Sequence, residues 1–291
     1  MNKKANAIIR IIISSLLILT FISILLWGIE RRGISLTPFY FDRQAKFANA
    51  DKYKTGDASI SADSLKELEI DWVDGEINVL PYDGQTIEIK ETSSDSLSES
   101  EKLQYYFKNG TLIIQYQKSG FFSFGLRTHN KNLTVSIPSA LCGNLNEVSI
   151  DTTSSDVRIS GIHAESFDME TVSGNVDASD IETSQEFGSD TVSGNLNLSG
   201  NFKELDIETV SGDCTISSSS TPKDIQFDGV SGDFILQIPA SSQFTLELDT
   251  MSGSFQNDFA TNQKDDSYVC GDGSAQYDIQ TVSGDVTICK S

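Results

Sequence analysis

Six carboxylates recur at one offset, four residues before a Ser-Gly-type turn: Asp151, Glu170, Asp190, Glu208, Asp228 and Asp249. Two residues earlier, Asp168, Asp206 and Glu247 fall in a second column. Carboxylates repeated this way can do three kinds of chemistry. They can hold a hard cation such as calcium, face a basic partner, or supply the pair that cleaves a glycosidic bond. The last needs two acids singled out from the rest, and acids are too abundant here to mark one pair. No Gly-Gly-x-Gly-x-Asp calcium repeat occurs. The plain alternative is a screened, solvated face that keeps the domain soluble. The expectation is an acidic ladder whose six residues are the candidate metal ligands, with no cofactor unless calcium sits there, and no catalytic or cofactor-binding residue.

Other reactive side chains carry less. A threonine column (Thr171, Thr191, Thr209, Thr250, Thr281) has no base near it in sequence, and a nucleophile needs one. The two histidines, His129 and His163, stand apart. Cys142, Cys214, Cys270 and Cys289 form no CxxC, which argues against a Cys/His zinc site. Cys214 takes an inward position and Cys289 an outward one, so these two are not expected to pair.

The elements that position the acids are repeats. Thr-Val-Ser-Gly-Asn/Asp or a close variant recurs with its glycine at Gly174, Gly194, Gly212, Gly232, Gly253 and Gly284, spaced 20, 18, 20, 21 and 31 residues apart. Weaker copies stand at Thr153–Asp156 and Val73–Glu76. Before each turn, apolar residues fall at minus seven and minus five, as Phe167 and Met169 do. After it they fall at plus two and plus four, as Leu196 and Leu198 do. A period of two is a half-buried strand. Each unit is therefore strand, Ser-Gly-Asx turn, strand, with glycine supplying the positive φ of the corner. Units of about 20 residues that cannot bury an apolar side alone must stack. The predicted fold class is all-β: a β-solenoid over 67–291, with irregular rungs at 80–147 and an insertion at 254–283. Two segments are candidate partner contacts, the apolar loop Phe121–Leu126 and that insertion.

Charge and hydropathy place the domain. Residues 11–29 carry no charge and as a helix would reach about 28 Å, close to one hydrocarbon core. No small-x-small cleavage pattern follows it. Residues 1–32 are expected to be a cytoplasmic tail and single transmembrane helix, and 33–66 a juxtamembrane spacer. Lys3, Lys4 and Arg10 precede the helix and Arg31 and Arg32 follow it. The positive-inside rule puts the N-terminus inside and the repeat domain outside the cell membrane. Beyond residue 32 stand 16 basic and 41 acidic residues, a formal charge of −25. That excludes nucleic acid as a partner, because binding it needs a basic face. It favours cations and basic polymers; the expected partners are the membrane and an envelope protein, a cationic molecule or a polysaccharide.

The segment Leu133-Thr134-Val135-Ser136-Ile137-Pro138, followed by recurring Val-Ser-Gly-Asp/Asn, resembles the bacterial putative-adhesin family of β-strand-repeat proteins over roughly 65–290. With one anchor and an outside domain, it is similar to membrane-anchored members encoded in envelope-stress (Lia-type) operons. The resemblance implies a cell-surface, non-enzymatic binding module in the envelope-stress response, and offers no catalytic residues. The alternative is a polysaccharide-acting β-helix enzyme, a hydrolase or lyase. Against it, a groove for acidic sugars would want positive charge, and residues 150–291 hold five basic residues against 25 acids.

Overall fold

The computed structural model describes residues 52–117, 130–264 and 267–291. The predicted helix over 11–29, the loop Phe121–Leu126 and His129 lie outside them. Short strands β1 (Lys54–Thr55) and β2 (Ala58–Ser61) precede a long strand, β3 (Glu67–Tyr82). They lie inside the stretch read as a spacer, so the folded unit begins earlier than residue 67. Then come β4 (Thr86–Ser93), β5 (Gln104–Lys108), β6 (Thr111–Gln115) and β7 (Lys131–Pro138). The repeats open with β8 (Leu145–Ser160). They continue as pairs: β9 (His163–Ser173) with β10 (Val176–Thr183), and β11 (Glu186–Ser193) with β12 (Leu196–Asn201). Next are β13 (Glu204–Ser211) with β14 (Cys214–Ser218), and β15 (Asp224–Ser231) with β16 (Phe234–Ile238). The last six are β17 (Phe244–Ser252), β18 (Phe255–Asn257), β19 (Thr261–Lys264), β20 (Ser267–Cys270), β21 (Ala275–Ser283) and β22 (Val286–Lys290).

The halves of the repeats stack into two parallel sheets that share β3 and β8, each bent through its corner. The strand before the turn builds the first sheet, ordered β6–β3–β8–β9–β11–β13–β15–β21–β17. The strand after it builds the second, ordered β7–β3–β8–β10–β12–β14–β16–β22–β18. Antiparallel strands finish the edges. β5 and β1 lie on β6, β4 and β2 lie on β7, and β20 and β19 lie on β17. Unpaired parallel edges would template aggregation, and these strands cover three of the four; the last strand of the second sheet, β18, is kept to three residues, Phe255–Asn257.

Inward columns fill the space between the sheets. Leu68, Val148, Phe167, Phe187, Leu205, Ile225 and Tyr277 are all buried, and so are Ile77, Val157, Val176, Leu196, Cys214 and Phe234 on the facing sheet. Aromatic rings are layered in this core, Phe167 on Phe187 at 5.6 Å and Phe244 on Tyr277 at 5.0 Å between centroids. The turn glycines stack in one line. Gly194 has φ +148, and a Cβ there would lie 2.0 Å from the Gly174 carbonyl oxygen. Gly212 repeats this against Gly194 at 1.9 Å. Only glycine satisfies both the backbone angle and the close approach of rungs.

Two regions set apart in the sequence take definite form. In 80–147, the segment of irregular rungs, β6 and β7 are the two halves of one rung, and β4 and β5 are antiparallel covers. The stretch 254–283, read as an insertion, is mostly strand. It holds β18, the β19–β20 pair and the whole of β21. The rungs also leave chain order: β21 lies between β15 and β17, so the last repeat sits between two that precede it.

Candidate functional site

The predicted acids line up on the outer face of the first sheet, because minus four alternates with the buried minus five and minus three positions. In register run Asp71, Asp151, Glu170, Asp190, Glu208 and Asp228, on consecutive strands about 4.8 Å apart. Asp249 does not follow Asp228. Gln280 comes between them, because β21 is interposed, and the column from Asp151 to Asp249 is broken there. Asp71 was missed, although it stands four before Gly75 in the weak Val73–Glu76 copy. The second column is Glu69, Ser149, Asp168, Gly188, Asp206, Gln226, Asp278 and Glu247, again with two acids, Glu69 and Asp278, beyond those read from sequence. No Lys, Arg or His stands in either column.

Crowding shows in the protonation of these groups. Asp190 keeps an exposed edge but is hemmed in by neighbouring rungs. Its carboxyl is raised to about 7, first by desolvation and then by the charges of Glu208, Glu170, Asp168 and Asp206. Glu208 is raised by burial, Asp228 and Asp206. Asp206 is raised by burial and Asp224, and Asp224 by burial, Glu204 and Asp278. A carboxyl near 7 is a proton acceptor poised at physiological pH, and a site where an arriving cation relieves repulsion. Among the described residues no three His, Cys, Asp or Glu side chains are gathered as a metal would need them. The face presents distributed negative charge rather than a chelate.

At the corner the Asx side chains form a second ladder, running from rung to rung. The backbone N–H of Asn195 donates to Asn175 Oδ1 at 3.1 Å, that of Asp213 to Asn195 Oδ1 at 2.9 Å, and that of Asp233 to Asp213 Oδ1 at 3.0 Å. Asp285 donates to Asp233 at 2.8 Å, and Ser254 to Asp285 at 2.7 Å. Hydrogen bonds from the Ser254 N–H and side chain hold the Asp285 carboxyl below its usual range. The column is structural chemistry, each side chain tying its own rung to the next.

The family model for Toastrack DUF4097 matches residues 65–289, which is the whole of the two-sheet stack. This chain belongs to that family. Among curated proteins none matches it. Among solved structures it is similar to a putative cell adhesion protein from Clostridium sporogenes, at 13% identity and TM-score 0.43, over 82% of this chain and 100% of the other. A putative adhesin from Bacteroides fragilis is similar at 15% identity and TM-score 0.42, over 82% of this chain and 97% of the other.

The remaining candidates in the Toastrack stack have local explanations. Thr171, Thr191, Thr209 and Thr281 are buried behind the corner, and their hydroxyls have no hydrogen-bond partner. His163 Nδ1 lies 3.3 Å from Glu182 on an exposed edge. All four cysteines are free. Cys214 is buried in the core, where desolvation pushes its thiol far up.

Sequence reading missed Lys131. It is fully buried at the first corner, with Nζ 2.6 Å from Glu91 and over the Trp72 and Tyr116 rings. It donates to the carbonyls of Glu101, at 2.7 Å, and Tyr116. Glu91 also accepts from the Leu103 N–H at 3.1 Å. Burial lowers the Lys131 pKa while Glu91 opposes the shift. This pair ties the cover strand β4, and the residue that follows β6, to β7 at the N-terminal end of the stack.

Proposed function

We propose that this Toastrack chain is a membrane-anchored, cell-surface, non-enzymatic binding module whose acidic sheet face takes a cationic partner in the cell envelope. The observation that carries the reading is the placement of charge: acids in register over six consecutive strands of one face, with Asp190 raised to about 7 at the centre. Like charges directly opposite on neighbouring strands destabilise, so a bound counter-charge stabilises the fold. The uncharged segment 11–29, with its flanking basic residues, supports an anchor with the N-terminus inside. Among the described residues no helix is long and apolar enough to cross a membrane. A role in envelope stress, and an envelope protein, cationic molecule or polysaccharide as partner, rest on the adhesin-like resemblance and this charge.

The test is thermal unfolding of the full chain with millimolar calcium or a polycationic peptide, against sodium chloride of equal ionic strength. Either cation should raise the melting temperature beyond the salt control. Changing Glu170, Asp190, Glu208 and Asp228 together to Gln or Asn should abolish the excess. Equal effects of all three salts would sink the reading. For orientation, protease added to intact cells should digest the repeat domain.

One observation favours the polysaccharide-acting alternative. Asp190 has the raised pKa of a general acid and carboxylates on both flanking strands. Those carboxylates stand on an open face, however. Two shallow depressions, lined by residues such as Asp57, Glu91 and Ser136, lie at the N-terminal end instead. Release of reducing ends from envelope polysaccharide, lost in Asp190→Asn, would establish the enzyme.

A further inference from the structure

The rungs from β8 to β16 are laid down in chain order, each on the one before. The next link breaks the order. Residues 239–243 join β16 to β17, a link as long as 219–223 between β14 and β15, yet β17 and β18 land one rung further on. The space left is filled by 275–290. β21 pairs with β15 on one side and β17 on the other, and β22 pairs with β16 and β18. Tyr277, Ile279, Val286 and Ile288 point inward and are buried. The Tyr277 hydroxyl donates to the Pro222 carbonyl at 3.2 Å.

This rung lies downstream of both rungs that it separates. It can leave by opening at one point, the link 271–274, and no other described strand moves with it. Gly271 and Gly273 hold that link at φ +61 and +69. Until the rung docks, β15 and β17 face one another with unpaired parallel edges and an open strip of core. Such edges pair with any strand of matching pattern.

We propose that the slot between β15/β16 and β17/β18 is a strand acceptor, filled in cis by residues 275–290 in the monomer and in trans by the same residues of a second copy, giving a reciprocally exchanged dimer. Every hydrogen bond and core contact of the rung is the same in the two arrangements. The balance is therefore set by chain concentration and by the link 271–274. Crowding of copies on one surface would favour exchange. The inference does not depend on the acidic face.

The test uses two versions of the full chain. One carries Gln237→Cys with Cys289→Ala; the other is unaltered. Gln237 and Cys289 are direct partners on β16 and β22, and the other three cysteines are buried. Neither chain alone holds a reactive pair. After the two are refolded together in detergent at high concentration, a short bis-thiol reagent should join them, capturing about half of the exchanged dimers if mixing is statistical. A chain with Asn197→Cys and Cys289→Ala, altered on the same face away from β22, should give no such product. The single variant Gln237→Cys should cross-link within one chain, and failure there would overturn the slot itself. Cross-linking within a chain but never between chains would overturn the exchange. If the variants do not refold, the unaltered chain decides. A dimer that appears after concentrated refolding and survives dilution supports exchange, and monomer alone overturns it.

Discussion

The two outer faces of the stack are made by the same repeats and carry different chemistry. On the first sheet the column four before the turn is Asp71, Asp151, Glu170, Asp190, Glu208 and Asp228. On the second, the outward column three after the turn is Asn78, Arg158, Asp177, Asn197, Thr215, Ile235 and Thr287. There the polar groups satisfy one another, as Asn197 does by donating to Asp177 at 2.9 Å, and Arg158 is paired with Glu76 at 3.1 Å. The charge is concentrated on one face at the cost of repulsion between rungs, and the use proposed for that face rests on this asymmetry.

The largest way to break the contrast is at the corner that holds the faces apart. Gly194→Ala should destabilise the domain by about 3–5 kcal/mol, read by urea denaturation, because the new Cβ meets the neighbouring rung's carbonyl. Both faces should be lost together. Neutralising Glu170, Asp190, Glu208 and Asp228 should instead stabilise the domain by about 1–2 kcal/mol at low salt, with the gain shrinking as salt is added.

Titration sharpens the contrast next. The Asp190 carboxyl is raised to about 7 in the folded chain, against about 3.9 when unfolded. Between those values the folded state holds a proton that the unfolded chain has released. Stability should therefore be highest at the acid end of that window and fall as pH rises to about 7. The melting temperature should drop between pH 5 and pH 8, and Asp190→Asn should remove much of the drop. The smallest expected effect is a control. Thr215→Asp on the neutral face should change stability by no more than about 0.5 kcal/mol and leave cation binding unchanged.

Much of this architecture was legible because two periods agreed: apolar alternation gave strands, and the Ser-Gly spacing gave rungs. The line of Gly174, Gly194, Gly212 and Gly232 follows from that alone. What escaped was order along the stack. The 239–243 link has the same length as its predecessor, so nothing local announces that β17 skips a rung. Only the 31-residue spacing before Gly284 hinted at an excursion. The broken acid column at Gln280 is the direct result. Lys131 escaped for a different reason. Its phase is inward, the same as that of Leu133, Val135 and Ile137, but an amino group is buried only with partners, and Glu91, Trp72 and Tyr116 come from elsewhere in the chain. The inter-rung role of the Asx residues was hidden too, because turn preference concerns a residue's own backbone.

The Asx ladder also has an end. Each Asn or Asp takes a hydrogen bond from the following rung, so each offers an attachment point to one more unit. In the final rung the position is Ser254. Its N–H and hydroxyl both turn back to Asp285, and it offers no carboxamide or carboxylate onward. The same rung is the one that β20 covers, antiparallel, on its β17 half. The end of the repeat is thus marked twice over, by a side chain turned backward and by a strand that runs the other way.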